Sequence, residues 1–476
     1  MPPTRRTTLF GSAGTAMLAA VGARAQPVRV LTATTRTLDV NGKSARVFGL
    51  LGPDGQPGLT LAPNARFTVR LENHAGAPAI VHWHGQRPDW KQDGFPWPET
   101  PAIAPDSSQT YDYTPVSGTY WMHSHHEMQE QRLMTAPLIV HDPADAAADE
   151  QEVVLLLHDF SFRSPEEWLA TLIHRGGTMA SAKSMRMAPG MSMGPGMSMS
   201  PGMGAADLND IGYDAFLAND RTLADPQVVP VAAGQTIRLR VINGASATNF
   251  WLDLGQLTGE VVAADGNPVR PVAGSRFPLA IAQRLDIRLR LPGAGAFPVL
   301  AQVEGKTDRT GLIFATPGAA VVRIDPHAAT AAPAVDLSLE IRLSAATPLA
   351  DRPVDLTLPL TLAGDMTAYI WSLNGGIWPN GGVLTVRQGQ RVAIDMVNHS
   401  MMAHPIHLHG HVFQVVALDG KPIQGAVRDT VLVLPQGRVR IAFDADNPGR
   451  WPFHCHNLYH MATGMMTEVR YDGIAV

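Results

Sequence analysis

Short runs of alternating apolar and polar residues recur along the chain. The segment Ile237-Arg238-Leu239-Arg240-Val241 is typical, with an apolar side chain at every second position. A period of two is that of a β-strand with one face in a core and one face in solvent. Glycine and asparagine turns separate these runs, which predicts many short strands. We expect one short helix, over residues 164–175, and little other helical structure.

The pattern also repeats on a larger scale. Residues 64–85 align with residues 389–410, and a third copy begins at Gly234, where two leucines, Leu252 and Leu254, occupy the positions of two aligned histidines. Three copies of one strand–turn–strand unit predict an all-β protein of three Greek-key β-sandwich domains with antiparallel strands. The predicted domains are 26–142, 150–326 and 335–476, with an Ala/Pro-rich linker at 326–334.

Composition narrows the possible functions. Charged residues make up 17% of the 476 residues and the formal net charge is -5, which excludes a disordered chain and a basic nucleic-acid-binding protein. A single cysteine, Cys455, excludes an intrachain disulfide and leaves a thiol or a metal ligand. The unusual counts are 18 histidines and 20 methionines, and both residue types cluster.

The N-terminal residues have the pattern of an export signal. Arg5 and Arg6 precede a mildly apolar run, and Ala23-Arg24-Ala25 forms a small-residue cleavage site. Residues 1–25 are therefore predicted to be a signal peptide. The paired arginines favour the twin-arginine export machinery, and a general secretory signal is the alternative. Either route predicts a periplasmic protein, and no other segment is a candidate for membrane insertion.

Four His-x-His pairs carry the strongest chemical signal. They are His82/His84, His123/His125, His407/His409 and His454/His456. In a strand, residues i and i+2 point to the same face, so each pair directs two imidazoles to one place. Eight imidazoles from the first and third domains can supply three ligands to each metal of a bridged pair and two ligands to a third metal. Imidazole alone does not select the metal, because it suits copper, zinc, iron and nickel.

Cys455 selects copper. It lies between His454 and His456 and should therefore face the opposite side of that strand. Together with His404, His460 and the weak axial ligand Met465, it completes the two histidines, one cysteine and one methionine of a blue-copper electron-transfer site. A thiolate on one face and two imidazoles on the other provide a covalent path between two copper centres.

These motifs resemble those of the multicopper oxidases. The segments are HWHG (82–85), HSH (123–125), HPIHLHGH (404–411) and HCHNLYHMATGM (454–465). The resemblance implies three cupredoxin-like domains and four copper ions that reduce O2 to water. By motif, type 1 copper is held by His404, Cys455, His460 and Met465, type 2 by His82 and His407, and the type 3 pair by His84, His123 and His456 and by His125, His409 and His454. The middle domain, with Leu252 and Leu254, is expected to hold no copper.

Reduction of O2 to water also requires protons at the buried copper cluster, and Asp93 is the candidate proton relay. This residue follows the HWHG motif, as an acidic proton relay does in the family, although Asp93-Gly94 is also a strong turn signal. Many relatives carry a glutamate directly after the last type 1 histidine. Here Met461 and Ala462 occupy those positions, so a second relay is missing or replaced.

A methionine-rich segment favours Cu(I) as a donor. Residues 179–203 contain eight methionines in repeats such as PGMSMG, and the frequent proline and glycine are expected to exclude helix and strand. Thioethers select Cu(I), so the segment is predicted to collect this ion; a low-complexity linker is the alternative. The segment and residues 210–219 resemble the periplasmic copper-resistance branch of the family. Asp365, Met366, Met401 and Met402 are further candidate Cu(I) contacts.

Three functional hypotheses follow. The leading one is a copper-dependent oxidase that takes electrons from Cu(I) and passes them to O2. A laccase-like phenol oxidase is the alternative within the enzymes. A copper-free structural relative is the alternative outside them, although no predicted ligand is missing. A copper nitrite reductase is disfavoured, because it has two cupredoxin domains per chain and lacks the full trinuclear ligand set.

Overall fold

The computed structural model describes residues 28–184 and 208–474. These ranges are almost entirely β-structure, which confirms the predicted fold class. The helices among them are α1 (Pro143–Ala147), α2 (Pro165–Ser184), α3 (Leu458–Ala462) and a short 3-10 helix (Trp90–Gln92). The predicted leader, residues 1–25, and residues 185–203 of the methionine-rich segment lie outside the described residues.

The first part of the chain forms a sandwich of two four-stranded sheets. Its strands are β1 (Arg29–Val40), β2 (Lys43–Leu51), β3 (Leu59–Leu61), β4 (Phe67–His74), β5 (Val81–His84), β6 (Ser108–Tyr113), β7 (Gly118–Ser124) and β8 (Thr135–Val140). The sheet orders are β2-β1-β4-β6 and β3-β8-β7-β5. Alternate residues of β4, beginning with Phe67 and Val69, are buried in one core that strands of both sheets share. This alternation places the apolar face of each sheet inside the sandwich.

The second part forms a larger sandwich of six and five strands. Its strands are β9 (Gln151–Phe160), β10 (Ala215–Ala218), β11 (Gln227–Pro230), β12 (Thr236–Asn243), β13 (Phe250–Asp253), β14 (Gly259–Ala264), β15 (Asn267–Gly274), β16 (Arg276–Leu279), β17 (Arg284–Arg290), β18 (Ala296–Val303) and β19 (Arg309–Ala315). The orders are β10-β9-β12-β17-β14-β15 and β11-β19-β18-β13-β16. Leu252 and Leu254, at the aligned histidine positions, are fully buried in the core of this sandwich.

The third part forms a sandwich of seven and five strands. Its strands are β20 (Leu356–Asp365), β21 (Ile370–Leu373), β22 (Val383–Val386), β23 (Arg391–Asn398), β24 (His404–Leu408), β25 (Phe413–Leu418), β26 (Lys421–Pro422), β27 (Val427–Arg428), β28 (Thr430–Val433), β29 (Arg438–Asp444), β30 (Arg450–Cys455) and β31 (Met466–Tyr471). One sheet has the order β21-β20-β23-β29-β25-β26, with β27 paired to β25, and the other has the order β22-β31-β30-β24-β28.

The sequence repeat corresponds to equivalent strands. The aligned asparagines lie at equivalent strand ends: Asn243 and Asn398 are the last residues of β12 and β23, and Asn73 is the last residue but one of β4. All three are fully buried. In each copy the side-chain amide donates one hydrogen bond to a backbone carbonyl four or five residues on, and another to a carbonyl 30 to 36 residues on. These bonds satisfy the buried carbonyls and hold the next strand in place, which explains why the asparagine recurs.

Two expectations about local structure are wrong. The strands are not all antiparallel, because β1 pairs with β4, β9 with β12 and β20 with β23 in parallel register. These partners are not consecutive in the chain, so a crossover through the other sheet can return the chain in the same direction.

The helix predicted over 164–175 forms but is longer than expected. Helix α2 extends to Ser184 and so includes the first residues of the segment predicted to exclude helix. The first proline after Pro165 is Pro189, so the chain has no helix-breaking proline before that point. Within residues 28–184 and 208–474, no helix has the length and apolar character needed to cross a bilayer.

Candidate metal centre

The four His-x-His motifs lie at or just beyond the ends of four strands. Two of these strands, β5 and β7, are neighbours in the first sandwich, and the other two, β24 and β30, are neighbours in the third. In the first sandwich His82 of β5 lies opposite His123 of β7, and in the third sandwich His407 of β24 lies opposite His454 of β30. The second histidine of each of three pairs follows the last residue of its strand. Across the seam between the two sandwiches, the His82 ring stacks on the His409 ring with 3.8 Å between centroids.

The ligand atoms of these histidines converge into small groups. Within each group the atoms lie within 4.8 Å of one another, and the groups are His82/His84/His407, His84/His123/His456, His125/His409/His454 and His404/Cys455/His460. Every member is buried. The structure thus brings together the residues that the sequence motifs assign to each copper. It also groups Asp93 with His82 and His409.

The group His125/His409/His454 has ring nitrogens placed to bind a cation. His409 Nδ1 lies 2.7 Å from the Asp93 carboxylate, and His454 Nδ1 lies 2.9 Å from the Cys455 carbonyl. Because these oxygens only accept hydrogen bonds, both Nδ1 atoms carry the proton. The two Nε2 lone pairs then face each other at 3.0 Å. Burial holds the pKa of His409 well below its usual range and lowers the pKa of His454 to about 3, so both rings are neutral ligands at pH 7.

The proposed type 2 position shows the same arrangement. His82 Nδ1 donates to the carbonyl of Asp93 at 2.8 Å, and His407 Nδ1 donates to the carbonyl of Asp429 at 2.9 Å. The Nε2 atoms of both rings are buried and lack a hydrogen-bond partner. Two unpartnered lone pairs at one buried place fit a metal ion, because an unsatisfied buried polar atom otherwise destabilises the fold.

The cysteine group lies on the other side of β30. His404 Nδ1 and His460 Nδ1 are 3.2 Å apart, and each lies 3.7 Å from Cys455 Sγ. Burial raises the pKa of the Cys455 thiol, so a bound cation is needed to favour the thiolate. Met465 is fully buried nearby, and its carbonyl accepts the Cys455 N–H at 3.0 Å. This donor set fits the blue-copper pattern.

The outer nitrogens of this group contact the protein. His460 Nε2 donates to the Asp210 carboxylate at 3.1 Å, and His404 Nε2 lies 2.6 Å from Ser400 Oγ. Tyr369 donates a second hydrogen bond to Asp210 at 2.7 Å. Both imidazoles are fully buried. Neither ring therefore has an exposed edge that a bulky donor could touch.

Asp93 is positioned by a tight turn. It caps the 3-10 helix Trp90–Gln92, and Gly94 follows at φ +84, where a Cβ would lie 1.8 Å from the Val81 carbonyl oxygen. Asp93 therefore forms the Asp-Gly turn that the sequence indicates and also contacts the proposed metal ligands. One carboxylate oxygen, Oδ2, accepts from His409, and the other, Oδ1, is buried without a partner.

Asp429 connects the three sandwiches and was not found from the sequence. It accepts two hydrogen bonds from Arg284, at 2.7 and 2.5 Å, and one from His84 Nε2 at 3.1 Å. Burial alone would raise the pKa of Asp429, but the Arg284 guanidinium holds it well below its usual range. The contact also places the His84 lone pair on Nδ1, which faces His123 Nε2 at 3.4 Å.

Glu130 was missed as well. Its Oε2 lies 2.7 Å from His123 Nδ1, and the side chain is buried. Burial and the neighbouring Asp159 carboxylate raise the pKa of Glu130 well above its usual value. The only sequence signal is its position five residues after His125. The contact of Asp210 with His460 arises from tertiary packing, whereas Ser400 contacts His404 only four residues away.

A cavity of about 380 Å³ is lined by Ala403 and Asn457, which are close in sequence to His404 and Cys455 of the cysteine group. Met401 and Met402 line it, together with Glu304, Asp336 and Asn457. Met401 is 69% exposed, whereas Glu304 is buried. The other two candidate Cu(I) contacts, Asp365 and Met366, do not line this cavity; Asp365 accepts the Thr367 N–H in the β20–β21 turn.

Three β-sandwiches that gather buried imidazoles and one cysteine at the seam of the first and third define a copper-binding protein of the cupredoxin class. Three family models described as multicopper oxidase match residues 32–145, 182–326 and 351–473. The chain is 34% identical to multicopper oxidase MmcO of Mycobacterium tuberculosis, over 98% of this chain and 92% of that protein. The chain belongs to the multicopper oxidase family and is a copper-dependent oxidoreductase.

Two further similarities extend the comparison. A copper resistance protein A homolog of Pseudomonas syringae pv. tomato is 26% identical, over 98% of this chain and 99% of that protein. The crystal structure of laccase from Botrytis aclada superposes with a TM-score of 0.74 at 21% identity, covering 94% of this chain and 90% of that one. This structural likeness shows the shared fold.

Proposed function

We propose that this protein oxidises a one-electron donor, with Cu(I) as its main substrate, and reduces O2 to water in the periplasm. The observation that carries the choice of donor is the cavity lined by Met401 and Met402. Four resident copper ions are proposed, with type 1 at His404, Cys455, His460 and Met465, type 2 at His82 and His407, and the type 3 pair at the six remaining histidines of the His-x-His pairs. When bound, such copper ions accept single electrons and together supply the four that O2 reduction requires.

The chain itself provides the electron path. Cys455 is bonded through the backbone to His454 and His456, which belong to the two groups proposed for the type 3 pair. The extended conformation of β30 puts the thiol on one side of the strand and the His454 imidazole on the other. His456 follows directly after the strand and belongs to the other group of the pair. An electron that enters at the thiol therefore has a covalent route of one residue in either direction.

Cu(I) is favoured by the chemistry of the cavity. Met401 and Met402 offer soft thioethers, and the exposed Asp336 offers a carboxylate that tolerates the Cu(II) product. The oxygens of Glu304 already accept hydrogen bonds from Asn249 and Val335. The ring edges of His404 and His460 are occupied by Ser400 and Asp210. A bulky phenol could not reach those edges, whereas a small ion needs only the cavity.

The methionine-rich segment would supply this cavity. Leu208, the first described residue after it, lines the cavity. Met203, the last methionine of the segment, is five residues before Leu208 in the sequence. We infer that residues 179–203 collect Cu(I) and deliver it to Met401 and Met402.

Protons and export complete the proposal. The unpartnered Asp93 Oδ1 is placed to hold a proton beside His82 and His409, which supports a role as proton relay. The leader, residues 1–25, would direct the folded chain through the twin-arginine machinery to the periplasm. Neither role depends on the choice of donor.

O2 uptake with Cu(I) and with a simple phenol tests the donor. We compare the wild type with a Met401→Leu/Met402→Leu variant and with a deletion of 185–203, which spares α2. Both changes should raise KM for Cu(I) and leave phenol oxidation equal or faster. Met366→Leu is the matched control, because this methionine is 38% exposed and lies outside the cavity. Unchanged cuprous kinetics in both variants would exclude the cavity as the Cu(I) site and favour a laccase-like phenol oxidase.

A further inference from the structure

A buried glutamate contacts the proposed type 3 ligands from the first sandwich. Glu130 is 3% exposed, and its Oε2 lies 2.7 Å from His123 Nδ1. His123 Nε2 in turn faces His84 Nδ1 and His456 Nε2, each at 3.4 Å. His123 Nδ1 also lies 3.3 Å from the Ser124 carbonyl oxygen, a hydrogen-bond acceptor. Because both oxygens beside Nδ1 are acceptors, the Nε2 lone pair of His123 is left for a metal.

The second carboxyl oxygen faces the third sandwich. Glu130 Oε1 lies 3.9 Å from His456 Nδ1, and both atoms are buried without another hydrogen-bond partner. A side-chain shift of about 1 Å would bring them to the ordinary hydrogen-bond distance of about 2.9 Å. One side chain can therefore hold two ligands of the same group, His123 and His456, from opposite sides of the seam.

The backbone around Glu130 is built to hold this position. Residues 126–133 form a compact turn in which the carbonyls of Glu130 and Gln129 accept the N–H groups of Leu133 and Met134. Leu133 has φ +63, an uncommon conformation for a leucine, which persists only where the surroundings impose it. The Gln129 side chain bridges Ser124, next to His123, and the Pro78 carbonyl. The turn therefore fixes Glu130 relative to the strand that carries His123.

Carboxylates hold one further ligand of each type 3 group in the same way. Asp93 accepts from His409, and Asp429 accepts from His84. A carboxylate on the outer nitrogen of a metal-bound histidine fixes its tautomer and ring orientation and raises its basicity. Met461 and Ala462 provide no such oxygen from the helix after the type 1 histidine.

We propose that Glu130 is a positioning residue for the type 3 pair, which orients His123 and His456 across the seam between the first and third sandwiches. This inference rests on the ligand set of the proposed function. The contact requires an acceptor oxygen at His123, so it distinguishes two substitutions of similar size: Glu130→Gln keeps an oxygen, and Glu130→Leu does not.

The test combines copper titration with EPR of the oxidised holoprotein. Glu130→Leu should lower the affinity for one copper of the pair about 10- to 100-fold. It should also produce the EPR signal of a lone cupric ion, because a bridged cupric pair has cancelling spins. Glu130→Gln should lower the copper affinity less than tenfold, and its type 3 pair should give no EPR signal. Glu127→Gln, at an exposed glutamate of the same turn, should match the wild type.

Retention of type 1 absorbance shows that a variant is folded. Wild-type copper affinity in Glu130→Leu, or equal losses in the Leu and Gln variants, would overturn the inference. If Glu130→Leu does not fold, ring ¹⁵N NMR of the copper-free wild type and of Glu130→Gln decides. The inference requires the Nδ1 signal of His123 to differ between the two proteins and fails if it is the same, because Ser124 contacts this nitrogen in both. If the wild-type holoprotein itself shows no EPR-silent cupric pair, the proposed ligand set is refuted instead.

Discussion

Asp429→Asn tests whether one buried carboxylate couples stability to copper binding. Asp429 and Arg284 are both fully buried, and their two hydrogen bonds join the second and third sandwiches. The next carboxylate, Asp265, lies 3.7 Å from Arg284. Removing the charge of Asp429 leaves the guanidinium without its main partner. Breaking a buried ion pair in this way costs about 3–5 kcal/mol.

The same substitution changes a metal ligand. Asp429 accepts from His84 Nε2 and so places the lone pair of His84 on Nδ1. An amide oxygen accepts this bond more weakly than a carboxylate, so we expect copper affinity at that group to fall about 10- to 100-fold. Stability and copper affinity should therefore fall together.

Urea denaturation of the copper-free protein measures the first effect, and copper titration measures the second. Asp446→Asn is the matched control, since Asp446 also pairs with an arginine across sandwiches, Arg87, but is 52% exposed. A half-exposed pair of this kind contributes less than about 1 kcal/mol. An Asp429 variant that unfolds within about 1 kcal/mol of this control and binds copper like the wild type would refute the reasoning.

Three further substitutions test other parts of the structure. Asp93→Asn weakens the contact that holds His409, and copper affinity in equilibrium dialysis should fall about 10- to 100-fold; an unchanged value contradicts the role. Gly94→Ala forces a Cβ to 1.8 Å from the Val81 carbonyl oxygen, so urea denaturation should show a loss of about 3 kcal/mol, and wild-type stability would refute the clash. Burial lowers the pKa of His158 to about 4, so the unfolded chain binds an extra proton between that pH and about 6.5. From pH 7 to pH 5 the copper-free wild type should lose about 2 kcal/mol more stability than His158→Gln, and equal losses would contradict this linkage.

The ligands were predictable because their signal is local. His-x-His spacing combined with the two-residue period of a strand places His82 and His84 together without any tertiary information. The same period separates Cys455 from His454 and His456, and the structure places them in different groups. The sequence repeat likewise identified equivalent strands, since a half-buried strand and the asparagine that ends it leave a pattern over about ten residues.

Most of the carboxylates that contact those ligands could not be predicted from the sequence. Asp429 meets His84 across a separation of 345 residues, and Asp210 meets His460 across 250. Asp429 belongs to no motif, and Asp210 opens the segment 210–219 that resembles the copper-resistance branch but gave no sign of a contact with His460. Only packing of the chain brings these pairs together. Asp93 is the exception, because it follows a ligand motif closely. The length of α2 was missed for a different reason: residues 179–203 were expected to exclude helix because of their proline and glycine, but the first of these is Pro189, after the end of α2.

Copper content per chain, measured on the reconstituted wild type and on Cys455→Ser, tests the central claim most directly. The claim is that Cys455 joins one mononuclear site to a three-metal site built from the histidine pairs. We predict four copper ions in the wild type and one fewer in Cys455→Ser, with the blue absorption lost and the remaining sites filled. Fewer than about three copper ions in the wild type, or a blue Cys455→Ser protein, would contradict the account.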